Sequence, residues 1–176
     1  IIGPQPHMPS PIEFDPLPKS GVKTLWLVTE DNLAFEDPPV PPRDLVGVIA
    51  LNASENRAHG GVAEPVTRFA ENAISDATRN FNLQHGIPVE QLSVNKPTDF
   101  LSLLKKYEAP QTIISRIPVG PGRDFFDHVE DTMQKRDVEF IETTRKWDFL
   151  CWPHATRGFF KFKEAIPSIL TKMNLL

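Results

Sequence analysis

The sequence predicts a Rossmann-like, doubly wound α/β fold, with about five parallel strands and helices on both faces. Three observations carry this. Short runs with strand character recur at residues 24–29, 45–51, 89–94, 112–117 and 138–141. The first two are apolar throughout rather than alternating, the pattern of strands buried on both faces. Between the later runs, apolar residues recur at helical spacing, and strands alternating with helices are the signature of a parallel sheet with right-handed crossovers.

The elements follow in order. Thr24-Leu25-Trp26-Leu27-Val28-Thr29 is the first strand, ended by Glu30-Asp31-Asn32. The connection to the second strand holds Pro38, Pro39, Pro41 and Pro42, so it cannot contain a long helix. Leu45 to Leu51 is the second strand, followed by a polar loop through Asn52, Ser54 and Gly60-Gly61. Val66, Phe69, Ala70, Ala73, Ile74, Ala77 and Phe81 then mark one face of a long helix. Pro65 suits its first turn and Gly86 its stop. Val89 to Val94 is the third strand, and Lys96-Pro97-Thr98-Asp99 opens a second helix through Tyr107. Thr112 to Ile117 is the fourth strand. Val119-Gly120-Pro121-Gly122-Arg123-Asp124 leads into a helix carrying Phe125, Phe126, Val129 and Met133. Val138 to Ile141 is the fifth strand. Residues 147–176 form an aromatic tail, where Thr156-Arg157-Gly158 starts a helix that Pro167 is expected to break or kink.

These elements predict one α/β domain over residues 23–176, preceded by a proline-rich arm at 1–22. Pro4, Pro6, Pro9, Pro11, Pro16 and Pro18 keep that arm from forming a helix or a central strand. The His7-Met8 pair reads as the junction between a cloning scar, residues 1–7, and a natural start. A net charge of −4 argues against a dedicated nucleic-acid surface, so DNA binding by this chain alone is not expected. Cys151 is the one cysteine, which excludes an intrachain disulfide and points to a reducing, cytoplasmic compartment. No apolar run approaches the ~20 residues of a membrane helix, and no leader peptide is visible.

In an open α/β sheet, ligands collect beyond the carboxyl ends of the strands, where strand order reverses. The candidate binding residues therefore come from four loops. They are Glu30, Asp31 and Asn32, then Asn52 and Ser54, then Gly120, Gly122 and Arg123, and finally Arg145. The glycine loop is the best single candidate for an anion. Its backbone N–H groups and the helix start offer partial positive charge, and Arg123 could add a bidentate contact. The opposing reading is a plain turn, in which Arg123 or Asp124 caps the helix, because Pro121 removes a donor and no phosphate-binding glycine motif is present. His59, His85, His128 and His154 lack metal-ligand spacing, and the acidic loop around Glu30 and Glu36 reads as solvated, so no metal is expected. No assembled nucleophile and base is visible, and no catalytic residue is assigned.

The order of elements, with several short motifs, resembles the N-terminal α/β domain of the photolyase/cryptochrome family. The motifs are Leu25-Trp26-Leu27-Val28-Thr29-Glu30-Asp31-Asn32-Leu33-Ala34-Phe35-Glu36-Asp37-Pro38, the strand Val46 to Leu51, the helix end and strand over Asn80 to Val94, the Arg123-Asp124 pair opening a helix, Asp148-Phe149-Leu150, and Gly158-Phe159-Phe160-Lys161-Phe162-Lys163. The likeness spans most of residues 23–165. Thr29-Glu30 stand where the family usually carries arginines. The resemblance implies a site at the strand ends for an antenna-type cofactor: a folate, a deazaflavin, a flavin or another nucleotide. The family's repair chemistry uses FAD in a following helical domain. The chain stops at Leu176, so FAD used in that manner, and repair by this chain alone, are not expected. Two other readings compete. The aromatic, lysine-bearing tail could dock a second copy or a separate partner. Alternatively, Arg123 with Glu30 or Asp31 could serve a small nucleotide hydrolase or transferase.

Overall fold

The computed structural model describes residues 17–134, 138–155 and 158–176, with the side chains of 131–134 left aside. The arm up to residue 16, with its supposed scar, and the Thr156-Arg157 pair lie outside the described residues. Five parallel strands form one sheet: β1 (Thr24–Thr29), β2 (Leu45–Asn52), β3 (Val89–Ser93), β4 (Gln111–Ser115) and β5 (Glu139–Thr143), in the order β3-β2-β1-β4-β5. Three helices connect them: α1 (Glu64–His85), α2 (Pro97–Tyr107) and α3 (Pro121–Gln134). The expected doubly wound fold is present.

All six residues of β1 are buried, as an apolar central strand requires. Alternation within it feeds two cores. Leu25 and Leu27 join Ile49, Leu51 and Ile114 under α2 and α3, through Phe100, Leu104, Phe125, Phe126 and Val129. Trp26 and Val28 join Val48, Ala50 and Ile113 on the other face, beneath Ile74 and Phe81 of α1. The chain moves from β1 out to β3, then returns past β1 to β4. A right-handed crossover that reverses its direction of travel must change face. That is why α1 lies on one side and α2 and α3 on the other.

The β1–β2 connection has no α-helix, as its prolines predict. Residues 42–44 make only a short 3-10 turn. Phe35 and Val40 from this loop fill the core instead, with Phe35 edge-on to Trp26 at 5.2 Å between ring centroids. Gly86 ends α1 at φ 66°, a left-handed conformation that glycine adopts without Cβ strain. Gly47 lies beneath the Tyr107 ring, where a Cβ would overlap it. The buried Gln111 amide bonds both backbone groups of Lys19, at 2.9 and 3.2 Å, and the Thr24 hydroxyl at 2.8 Å. It thereby pins the end of the arm beside β1.

Residues 16–143 and 144–176 fall in separate compact units. The second holds α4 (Lys146–Cys151), a short 3-10 turn and α5 (Phe159–Lys172). Helix α5 runs through Pro167, contrary to the expected break. The proline removes a single N–H, and the following turn is reinforced by the Thr171 hydroxyl donating to the Pro167 carbonyl at 3.0 Å.

Candidate functional site

The reversal of strand order puts the carboxyl ends of β1 and β4 side by side at the switch point. Loop 30–32 leaves β1 there, and the Ile117–Gly120 turn leaves β4. The loop after β2 is the neighbour of the first.

Glu30 and Asp31 come together with a residue that the sequence did not single out, Arg57. One Arg57 amine donates to Asp31 at 2.6 Å and to Glu30 at 3.1 Å, and the other Glu30 oxygen accepts the Ala53 N–H at 3.0 Å. The Asp31 bond, outweighing partial desolvation, raises the Arg57 pKa further above its ordinary value. The cluster joins the loops after β1 and β2. Asn32 is buried in its own tight turn, its N–H donating to Thr29. Asn52 uses its side-chain oxygen to accept the Ser54 N–H at 2.9 Å, an Asx turn. Ser54 is buried, and its hydroxyl has no partner among the described residues.

At the second loop, Gly120 takes φ 138° and α3 opens at Pro121. The Asp124 N–H donates to the Gly120 carbonyl at 3.0 Å, so Gly120 begins the helical bonding. Gly122 sits in the first turn, where a Cβ would come 3.3 Å from Ile117. The Arg123 guanidinium turns back to the Glu142 carboxylate on β5 and to the Ile117 carbonyl, and Glu142 also accepts the Ile117 N–H at 2.9 Å. Arg123 thus ties α3 to β5, and an anion at the glycine turn would have to compete with Glu142 for it.

A cleft of about 260 Å³ opens beside these loops, on the face carrying α2 and α3. Its apolar wall is Val94, Pro97, Pro121 and Phe125; its polar lining is Asn56, Asp124 and His128. Asp124 and His128 are one helical turn apart on α3. Asn56 reaches in from the loop after β2 and gives its amide N–H to Asn95 at 2.8 Å. Neither lysine nor arginine is among the lining residues.

Arg145 belongs to the second unit, where it precedes α4 and its Nε donates to Asp148 at 2.6 Å. In the same unit, desolvation and then the Asp148 charge push the Cys151 thiol above its ordinary pKa. Among the described residues, no three His, Cys, Asp or Glu side chains gather as metal ligands, and no helix is long and apolar enough to cross a membrane. Comparison with family models, with curated proteins and with solved structures gives no match.

Proposed function

We propose that the α/β unit is a photolyase-like ligand-binding domain that takes a nucleotide or an aromatic cofactor at the carboxyl edge of its sheet. The observation that supports this reading is the switch point: strand order reverses between β1 and β4, and polar loops with an adjoining cleft lie at that edge. The antenna-type ligands suggested by the family resemblance, a folate, deazaflavin or flavin, belong to this class. The reading assigns no catalytic residue. The test is the near-UV and visible spectrum of freshly purified protein, with mass spectrometry of whatever denaturation releases. A released chromophore or nucleotide is the expected result. A colourless protein that releases nothing, and binds neither flavin mononucleotide nor adenine nucleotides, overturns the proposal.

A second reading rests on a different observation. Phe159 and Phe160 at the start of α5 are 65% and 81% exposed, and Trp147 and Trp152 are about half exposed. Large aromatic side chains in solvent favour an interaction surface, and the occupant we propose is a second copy of this chain. Sedimentation of the wild type against a Phe159→Ser/Phe160→Ser variant tests it. A wild type that stays monomeric at high concentration removes this reading.

A further inference from the structure

The cleft beside the switch point has a chemistry narrower than the class proposed above. Its volume, about 260 Å³, lies just below the ~300–1,000 Å³ of sites for drug-sized ligands. One planar ring system fits such a space; the rest of a dinucleotide or of a flavin nucleotide would lie outside it. Val94, Phe125 and the rings of Pro97 and Pro121 give it an apolar lining.

The carboxylates at the two helix starts weigh against a phosphate inside the cleft. Helices α2 and α3 both begin here, and a helix start would ordinarily attract an anion. Both open on proline, which removes one of the first-turn N–H donors, and each already carries a carboxylate in its first turn, Asp99 or Asp124. The nearest cation on α3, Arg123, is committed to Glu142. The Asp124 carboxylate is exposed and forms no side-chain hydrogen bond among the described residues. Asn56 gives one of its two amide N–H groups to Asn95, which leaves its carbonyl oxygen as an acceptor and its second N–H as a donor. A carboxylate and an amide edge therefore line a slot with apolar walls. Acceptors select a ligand that donates, and a carboxylate selects one without negative charge.

We infer that this cleft takes an amino-substituted nitrogen heterocycle of the nucleobase type, held through its exocyclic amine by Asp124 and Asn56, with any phosphate kept outside. The inference rests on the proposed ligand-binding function and specifies the part of the ligand that enters. His128, one turn from Asp124, faces the same ring and can donate to a ring nitrogen or accept from a ring N–H.

The experiment is a titration of the isotopically labelled chain, followed through backbone amide resonances, with adenine, adenosine monophosphate and flavin mononucleotide as probes. Adenine is expected to shift the amides of 94–96, 98–99 and 122–128. Asp124→Asn removes the charge, keeps the size and sits on an exposed helical position; it should weaken adenine about tenfold. Adenosine monophosphate should bind more weakly than adenine to the wild type, and this penalty should shrink in Asp124→Asn. The inference is overturned if the monophosphate binds as well as adenine, or if Asp124→Asn leaves adenine affinity unchanged. If a nucleotide shifts loops 30–32 and 116–120 while adenine shifts nothing, the broader function stands and this assignment falls. If none of the three probes shifts any amide at the carboxyl edge, both fall.

Discussion

Thr112 is buried in β4, and its hydroxyl has no hydrogen-bond partner among the described residues. A buried hydroxyl without a partner costs about 1–3 kcal/mol of desolvation. Thr112→Val keeps the branched shape that a strand favours and removes that cost. It is expected to raise stability by about 1 kcal/mol, read as a higher urea midpoint at constant slope. Gly47 gives the opposite case. Its missing side chain makes room for the Tyr107 ring, so Gly47→Ala should destabilise by about 1–3 kcal/mol through overpacking. Tyr107 is also the chain's one tyrosine. Burial, and then the nearby Glu90 carboxylate, raise its pKa above the ordinary 10.0. The folded state therefore holds this proton more tightly than the unfolded chain. The resulting stability is fully present below the unfolded pKa and is lost as pH rises through the folded one. Phenolate absorbance should appear at higher pH in native protein than in denatured protein; coincident titration curves would contradict the described burial. At this scale the sequence was least informative. Arg57 carries no local signal of its role, because its partners Asp31 and Glu30 lie 26 and 27 residues away. Glu142, Asn56 and His128 were equally silent. What a side chain meets across a loop crossing is set by topology, not by its neighbours in sequence.

Elements were far more legible. β1 occupies the residues expected of it, because six apolar or β-branched residues between polar loops leave little choice. α1 ends where Gly86 said it would. Gly86→Ala forces a Cβ into φ 66° and should cost about 1 kcal/mol, measurable as a lower thermal midpoint. β4 is different. The apolar run suggested 112–117, yet the strand is Gln111–Ser115. Ile117 is buried like a strand residue, but the ladder has ended and its N–H goes to the Glu142 side chain. Burial and strand pairing are separate properties, and hydropathy reports only the first. The continuity of α5 through Pro167 makes a related point: a residue's helix-breaking tendency is a free-energy cost that tertiary context can override. The short helix α4 has no hydrophobic period long enough to announce it.

Charge separates the molecule along its length. Residues 144–176 carry six basic and two acidic residues, a net of +4; the whole chain is −4, so the remainder carries −8. If the aromatic tail of one copy docks on the acidic segment of another, their opposite charges should assist it. Association should then weaken as ionic strength rises from low to physiological, where screening reduces the Debye length to about 8 Å. Sedimentation velocity at two salt concentrations reads this directly; an apparent mass that does not fall with salt would exclude an electrostatic contribution. The fold class was visible at this scale because alternation of strands and helices, together with buried strands, admits few architectures. The candidate edge was visible only as a position. Its chemistry emerged when Asn56, Asp124 and His128, from separate stretches of chain, proved to line one cleft.

The central place of β1 has a consequence for how the protein is made. One edge of β1 pairs with β2, which follows closely, but the other waits for β4, where Gln111 meets Thr24 across 87 residues. At the ~5–20 residues per second of ribosomal synthesis, that edge stands open for roughly 4–17 seconds. During this interval a nascent chain presents Leu25, Trp26, Leu27 and Val28 with their backbone groups unpaired, a template for the wrong partner. Emergence of residues 111–115 from the ribosome is therefore the step at which the chain can close the second edge of β1 itself.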